Sequence, residues 1–372
     1  MSRPRIGLVL PALIAIGCSG DPGGGLGVVG TGSPNPGGGP EGGVQSSSGG
    51  SSSGGGSGSS GGSSSSGGSG GSSSSGSSGG ASSGGGSSSG SSGGGSSSGS
   101  VNPSDGGGAN ASKCGAPLDT AAPTAASIVK DGPYSVTSYS TGLPSSAAYK
   151  SLTVFYPTNA SGPYVVVMVS PGLTEILLYL TPWTQRFASY GYVAVFVEAN
   201  DTNNDSEATR ADGLWAAIGA IKGENTRAGS PLAGKLSGCI VTSGHSLGGG
   251  ASFTIANSHP NDVTGALGFN PYDPITNFSS IVVPALVVTG QNDPTAPPAQ
   301  HGRRQYDSMS ATLPKEYVEI AGGNHQAALA PATIPGQYAV SWIKAMVDGD
   351  MRYRPFLAKA ASGLSDFAAT LP

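Results

Sequence analysis

No run of lysines and arginines interleaved with aromatic residues occurs in this chain, and charge of either sign is scarce. Its 17 basic residues stand against 21 acidic ones, a formal net charge of −4. Loss of Arg3 and Arg5 with an N-terminal signal would lower that by two, to −6. Such a balance favours neither phosphate nor polyanion binding, so nucleic acid is not an expected partner. The three cysteines and four histidines show no metal-ligand spacing, and neither a Walker loop nor a Rossmann glycine pattern appears. Neither a metal nor a nucleotide cofactor is expected.

Glycine and serine, by contrast, are abundant, and they crowd into one stretch. From about Gly23 to Gly108 the sequence is almost entirely Gly and Ser, without an aromatic residue. Such a segment cannot bury enough apolar surface to offset chain entropy and reads as a flexible linker. Before it, "MSRPRIGLVLPALIAIGCSG" carries two arginines, an apolar stretch from Ile6 to Ile16, and then Gly17-Cys18. The stretch is too short to span a bilayer and is signal-like. It resembles a bacterial lipoprotein signal, in which Cys18 would be lipidated; the alternative is an ordinary secretory signal cut nearby.

The expected organisation is a signal over 1–18, a disordered linker over 19–112 and a folded domain over 113–372. Either signal exports the domain, as an outer-membrane or cell-surface lipoprotein or as a secreted protein. A lipid on Cys18 would make the membrane a partner, and a flexible linker of this length has a root-mean-square span of roughly 50 Å. A tethered domain could thus search outward. Cys114 and Cys239 remain after Cys18, and in an exported protein they can pair; a buried free thiol at Cys239 is the other reading.

The folded part, near 260 residues, suits one large α/β domain. Strand candidates recur at Ser151–Tyr156, Tyr164–Ser170, Tyr192–Ala199, Gly238–Ser243, Gly265–Asn270, Pro284–Thr289 and Glu316–Ala321. Most are continuous apolar runs, the pattern of strands covered on both faces in a parallel sheet. Helical segments fall between and after them, at Thr181–Tyr190, Glu207–Ile221, Ala251–Ser258, Pro298–Met309 and Gly336–Val347. This alternation predicts a doubly wound α/β fold with a mostly parallel sheet, to which Val136–Tyr139 and Ser151–Tyr156 could add an antiparallel edge.

In such sheets sites form at the carboxyl ends of the strands. There the sequence places "SGHSLGGG", residues 243–250, between an apolar strand and a helix. G-x-S-x-G in that context is a nucleophile elbow: Gly244 and Gly248 relieve the sharp turn, and Ser246 projects over the sheet. The Leu247 N–H opens the following helix and can bind a developing oxyanion. A serine hydroxyl needs a histidine base oriented by a carboxylate. His245 adjoins Ser246 and would not present its ring to that hydroxyl, although it could influence the elbow electrostatically. His259 ends the next helix, His301 lies in a later one, and His325 follows the last strand in a Gly-Gly-Asn loop, where a base is needed. For the acid, chain order leaves Asp273 and Asp293, with Asp293, one strand before His325, the better placed. "SPGLT" supplies a second oxyanion loop, with Gly172 admitting close backbone approach and the Leu173 N–H donating. The implied reaction is ester hydrolysis through an acyl-enzyme on Ser246.

The strings "PTAASIVKDGPYSV", "VSPGLT", "RFASYGYVAVFVEANDT", "GHSLGGG", "NFSSIVVPALVVTGQNDPTAPP", "YVEIAGGNH" and "MRYRPF" resemble, in that order, bacterial cutinases and poly(ethylene terephthalate) hydrolases, which are related to dienelactone hydrolases. The resemblance runs from about Pro123 to Phe367 and implies an α/β-hydrolase fold. It also implies a Ser246-His325-Asp293 triad, an oxyanion hole of the Leu173 and Leu247 amides, and a shallow groove without a lid. Leu173 stands where the family usually has Tyr or Phe, Leu247 where it often has Met, and Tyr272 where it has Trp. The family's C-terminal cysteines are absent. Leu173 and Tyr272, with Ile176 in the aliphatic "TEILLYL", are the expected substrate contacts. Loss of a ring at 173 shifts the expected substrate from aromatic polyester toward aliphatic polyester, acylglycerol or similar acyl esters. A polysaccharide acetyl esterase shares these residues and is the alternative; an inactive surface-binding module is a third reading. The catalytic domain is expected to be monomeric.

Overall fold

The computed structural model describes Cys114 and residues 121–275, 277–360 and 362–372. The signal, Cys18 and the Gly/Ser-rich linker lie outside the described residues. Among the described residues, nine strands form one sheet: β1 (Val136–Tyr139), β2 (Ser151–Pro157), β3 (Tyr164–Ser170), β4 (Val193–Glu198), β5 (Leu236–His245), β6 (Gly265–Phe269), β7 (Ala285–Gly290), β8 (Lys315–Ile320) and β9 (Leu364–Thr370). Their order is β1-β2-β4-β3-β5-β6-β7-β8-β9. The six central strands, β4 through β8 in that order, run parallel, while β1, β2 and β9 are antiparallel to their neighbours. This is the α/β-hydrolase arrangement that the sequence implies.

Five α-helices of the described residues connect the strands: α1 (Leu177–Ser189), α2 (Glu207–Glu224), α3 (Leu247–Ser258), α4 (Gly302–Ser308) and α5 (Thr333–Trp342). Every residue of β3 is buried, as its unbroken apolar run requires. Its side chains alternate between two cores. Val165, Val167 and Val169 meet Trp183 and Phe187 of α1 and Trp342 of α5, whereas Val166 and Met168 meet Leu214 and Ile218 of α2 and Phe253 of α3. Each such side chain contributes roughly 1.5–3 kcal/mol by leaving water, and together these layers hold the strand ends in fixed relation.

Several helix boundaries differ from the sequence reading, and one strand was not foreseen. Helix α1 begins at Leu177 rather than Thr181, with the Thr181 hydroxyl donating to Leu177 O at 2.7 Å. Helix α4 is shorter than expected, and α5 starts three residues early and runs into a π-helical turn at Ile343–Val347. Strand β9 was not foreseen: it lies at the sheet edge and its residues are partly buried or exposed, a weak apolar signal. Cys114 and Cys239 are disulfide-bonded, which fixes the start of the described chain to β5. Among the described residues, no helix is long and apolar enough to cross a membrane.

Candidate active site

Ser246 sits between β5 and α3 with φ 54° and ψ −121°, a left-handed conformation that a side-chain-bearing residue adopts only under constraint. The constraint is local. The Ser246 N–H donates to Phe269 O at 2.9 Å, and the Ser246 carbonyl accepts from Gly250 at 3.1 Å and Tyr272 at 2.9 Å. A Cβ on Gly248 would come within 2.1 Å of Ser170 O, so only glycine lets α3 approach β3 here.

His325 Nε2 stands 2.9 Å from Ser246 Oγ, and His325 Nδ1 stands 2.8 Å from Asp293 Oδ2. With the Nδ1 proton directed at the carboxylate, Nε2 is left to accept from the serine hydroxyl. Asp293 Oδ1 accepts the N–H groups of Thr295 at 2.9 Å and Ala296 at 2.8 Å. Burial pushes the Asp293 carboxyl up, but the hydrogen bonds from His325 and Ala296, the His325 charge and the Asn270 amide overcome it and hold the group at about 2. Asp293 therefore stays ionised across the neutral range.

The His325 loop is held by residues that the sequence did not single out. Asn270 Nδ2 donates to Asp293 Oδ2 at 3.0 Å and to Asn324 O at 3.3 Å, while its Oδ1 accepts from Ala328 N at 3.1 Å. Trp183 Nε1 donates to Ala328 O at 3.1 Å, and its ring stacks on Phe269 with centroids 4.1 Å apart. Asp273, the other acid considered, lies elsewhere: it is buried against Thr254 and the His301 ring, and it does not reach His325. His259 stacks on Trp215 with centroids 3.7 Å apart. His245 is completely buried, with Nδ1 2.5 Å from Glu175 Oε1 and Nε2 2.8 Å from His325 O.

Across from Ser246 runs the Pro171–Glu175 loop. A Cβ on Gly172 would meet the Ser246 Cβ at 2.7 Å, so glycine is needed for this approach. The Gly172 N–H donates to Glu175 Oε2 at 2.6 Å, the Thr174 N–H to Thr202 O at 2.7 Å and the Glu175 N–H to Gly172 O at 3.3 Å. Among the described residues, the N–H groups of Leu173 and Leu247 have no intramolecular acceptor. Two donors flanking the serine are thereby available to a ligand oxygen.

A cavity of about 390 Å³ opens at Ser246 and His325, walled by Leu173, Tyr179 and Leu329, with Thr295 and Gln326 beside them. Leu173 and Tyr179 are each 49% exposed, so this wall is open to solvent. Ile176 and Tyr272 do not line it. Ile176 caps the start of α1 and faces outward, and the Tyr272 ring stacks on His301 with centroids 4.4 Å apart. Tyr179 takes the place expected of Ile176 because α1 starts at Leu177 and turns that ring toward the cavity. A larger cavity, about 590 Å³, lies at the amino ends of β3 and β5, away from Ser246. Among the described residues, no group of three or more His, Cys, Asp or Glu is arranged to hold a metal ion.

The family described as PET hydrolase-like (PETase) matches residues 113–370. Cutinase 1 of Thermobifida cellulosilytica is 33% identical over 227 residues, covering 61% of this chain and 84% of that protein. A cutinase of Thermobifida fusca is 33% identical over 227 residues, covering 61% of this chain and 73% of its own. Bis(hydroxyethyl) terephthalate hydrolase of Streptomyces coelicolor is 30% identical over 238 residues, covering 63% of this chain and 75% of its own.

Proposed function

The chain belongs to the PET hydrolase-like family and is a carboxylic ester hydrolase, and from that premise we propose a serine mechanism acting on aliphatic polyesters, acylglycerols or related acyl esters. The observation that carries the mechanism is the hydrogen-bonded series Ser246 Oγ, His325 Nε2, His325 Nδ1, Asp293 Oδ2. Ser246 attacks the ester carbonyl while His325 takes its proton. Ionised Asp293 stabilises the imidazolium, and the carbonyl oxygen, now negative, is bound by the Leu173 and Leu247 N–H groups. His325 then protonates the leaving alcohol, and water resolves the acyl-enzyme by the reverse proton path.

The open cavity favours a chain or an interface over an enclosed small molecule. Leu173 and Leu329 give it aliphatic walls, and Tyr179 adds one ring. That ring, and a relative named for a terephthalate ester, support some turnover of aromatic esters as well. Replacement Ser246→Ala is expected to abolish hydrolysis of short p-nitrophenyl esters and labelling by a fluorophosphonate probe. Wild-type rates in that variant would overturn the mechanism.

Residues 113–372 form the catalytic domain in this reading, exported and tethered through a lipidated Cys18 by the linker over 19–112. The Cys114–Cys239 bond supports export, because such bonds persist in oxidising compartments. Mass spectrometry of the mature N-terminus is expected to find acylated Cys18; an unmodified start beyond Cys18 would remove the anchor.

A further inference from the structure

Glu175 is a buried acid beside the site to which the hydrolytic scheme gives no part. It ends the Pro171–Glu175 loop with its side chain 10% exposed. One carboxylate oxygen accepts the Gly172 N–H at 2.6 Å, and the other lies 2.5 Å from His245 Nδ1. The opposite ring nitrogen of His245, Nε2, lies 2.8 Å from the backbone carbonyl of His325. A carbonyl can only accept, so Nε2 carries a proton. A second proton lies between Nδ1 and Glu175, and on either partner it completes the bond. The loop is also gripped from behind, where Arg210 donates to Pro171 O at 3.3 Å and Thr202 O at 3.0 Å.

These contacts join three segments far apart in sequence: the loop bearing the Leu173 N–H, the elbow bearing Ser246, and the loop bearing His325. We propose that Glu175 and His245 are positioning residues, a buried bridge that fixes the Leu173 amide relative to the His325 ring. This rests on the serine-hydrolase reading. The chemistry makes such a bridge consequential, because oxyanion donors act only within a narrow distance of the developing charge, and a shift of about 1 Å can cost about 100-fold in rate. Through His245 the bridge spans the gap between donor and base, with Glu175 at the edge of the Ser246 cavity.

The test compares Glu175→Ala with Glu175→Gln in the full chain. Glutamine keeps both contacts: its carbonyl accepts from Gly172, and its amide donates to Nδ1 of a His245 protonated on Nε2. Alanine removes both. With p-nitrophenyl butyrate, Glu175→Ala is expected to lower kcat about 10- to 100-fold with KM changed less than about threefold, while Glu175→Gln keeps kcat within about threefold of wild type. Wild-type kcat in the alanine variant, or an equal loss in both variants, would overturn the bridge. Nitrogen-15 histidine NMR of the wild-type protein gives a readout independent of activity and of how the variants fold: His245 Nε2 is expected to be protonated across neutral pH, and an unprotonated Nε2 would overturn the bridge. If the wild type failed to hydrolyse esters, the serine mechanism would fall while this spectrum still judged the bridge.

Discussion

Asn270 donates its amide to the carboxylate oxygen of Asp293 that faces His325: Nδ2 lies 3.0 Å from Oδ2, and His325 Nδ1 lies 2.8 Å from the same atom. All the donors around Asp293 therefore point at a carboxylate. An Asp293→Asn variant would aim an NH2 group at one of them and stabilise the wrong His325 tautomer. Its kcat on a soluble ester is expected to fall about 10³- to 10⁴-fold, measured with the fold verified by circular dichroism; a fall under tenfold would exclude Asp293 as the orienting acid. The carboxyl is held at about 2, so its stabilisation is fully present above about pH 4 and is lost as pH falls through 2.

Leu173 lines the cavity with half its surface exposed, and a ring can be built there without disturbing the core. Stacking contributes about 0.5–1.5 kcal/mol beyond area, which is about 2- to 12-fold in rate if realised in the transition state. Leu173→Tyr is expected to raise kcat/KM on bis(hydroxyethyl) terephthalate by that factor relative to p-nitrophenyl butyrate. An unchanged ratio would mean that residue 173 does not meet the acyl group.

Glu207 and Asp273 form a buried acidic pair beside Thr254. Burial first, then the charge of Asp273, push Glu207 up to about 7, and burial pushes Asp273 up to about 6. Both folded values exceed the unfolded ones, so the stability associated with their protonated forms is fully present below about pH 4. It is lost as pH rises through 6 and 7. Glu207→Gln is expected to stabilise the fold more at pH 8 than at pH 5, by on the order of 2 kcal/mol, in urea unfolding at the two pH values. An equal shift at both would show that Glu207 ionises in the folded protein as readily as in the unfolded chain, so that burial does not raise it.

Much of the fold was legible because continuous apolar runs leave little choice. Tyr164–Ser170 reads as a strand buried on both faces, and β3 has those bounds with every residue covered. Ser246, Asp293 and His325 were readable because each follows a strand, and strand ends converge. The supports were not readable. Glu175 meets His245 across 70 residues and Asn270 meets Asp293 across 23, and no local pattern marks either pair. Tyr179 was missed for a different reason: the helical segment was read from Thr181, beyond Tyr179, whereas α1 starts at Leu177 with Pro182 inside it. Strand β9 escaped notice because "LSDFAAT" has only two large apolar residues and pairs on one side alone.

The Cys114–Cys239 bond has a mechanical consequence. It spans a sequence separation of 125 residues and ends in β5, the strand that leads to Ser246 and is paired on both sides by parallel neighbours. A pull on the chain preceding Cys114 enters the sheet at its middle and bypasses the whole intervening segment. To tear the domain open, such a load would have to shear β5 from β3 and β6 together, instead of peeling β1 from an edge. In the tethered form proposed above, drag on the domain would be borne by the strand that leads to Ser246.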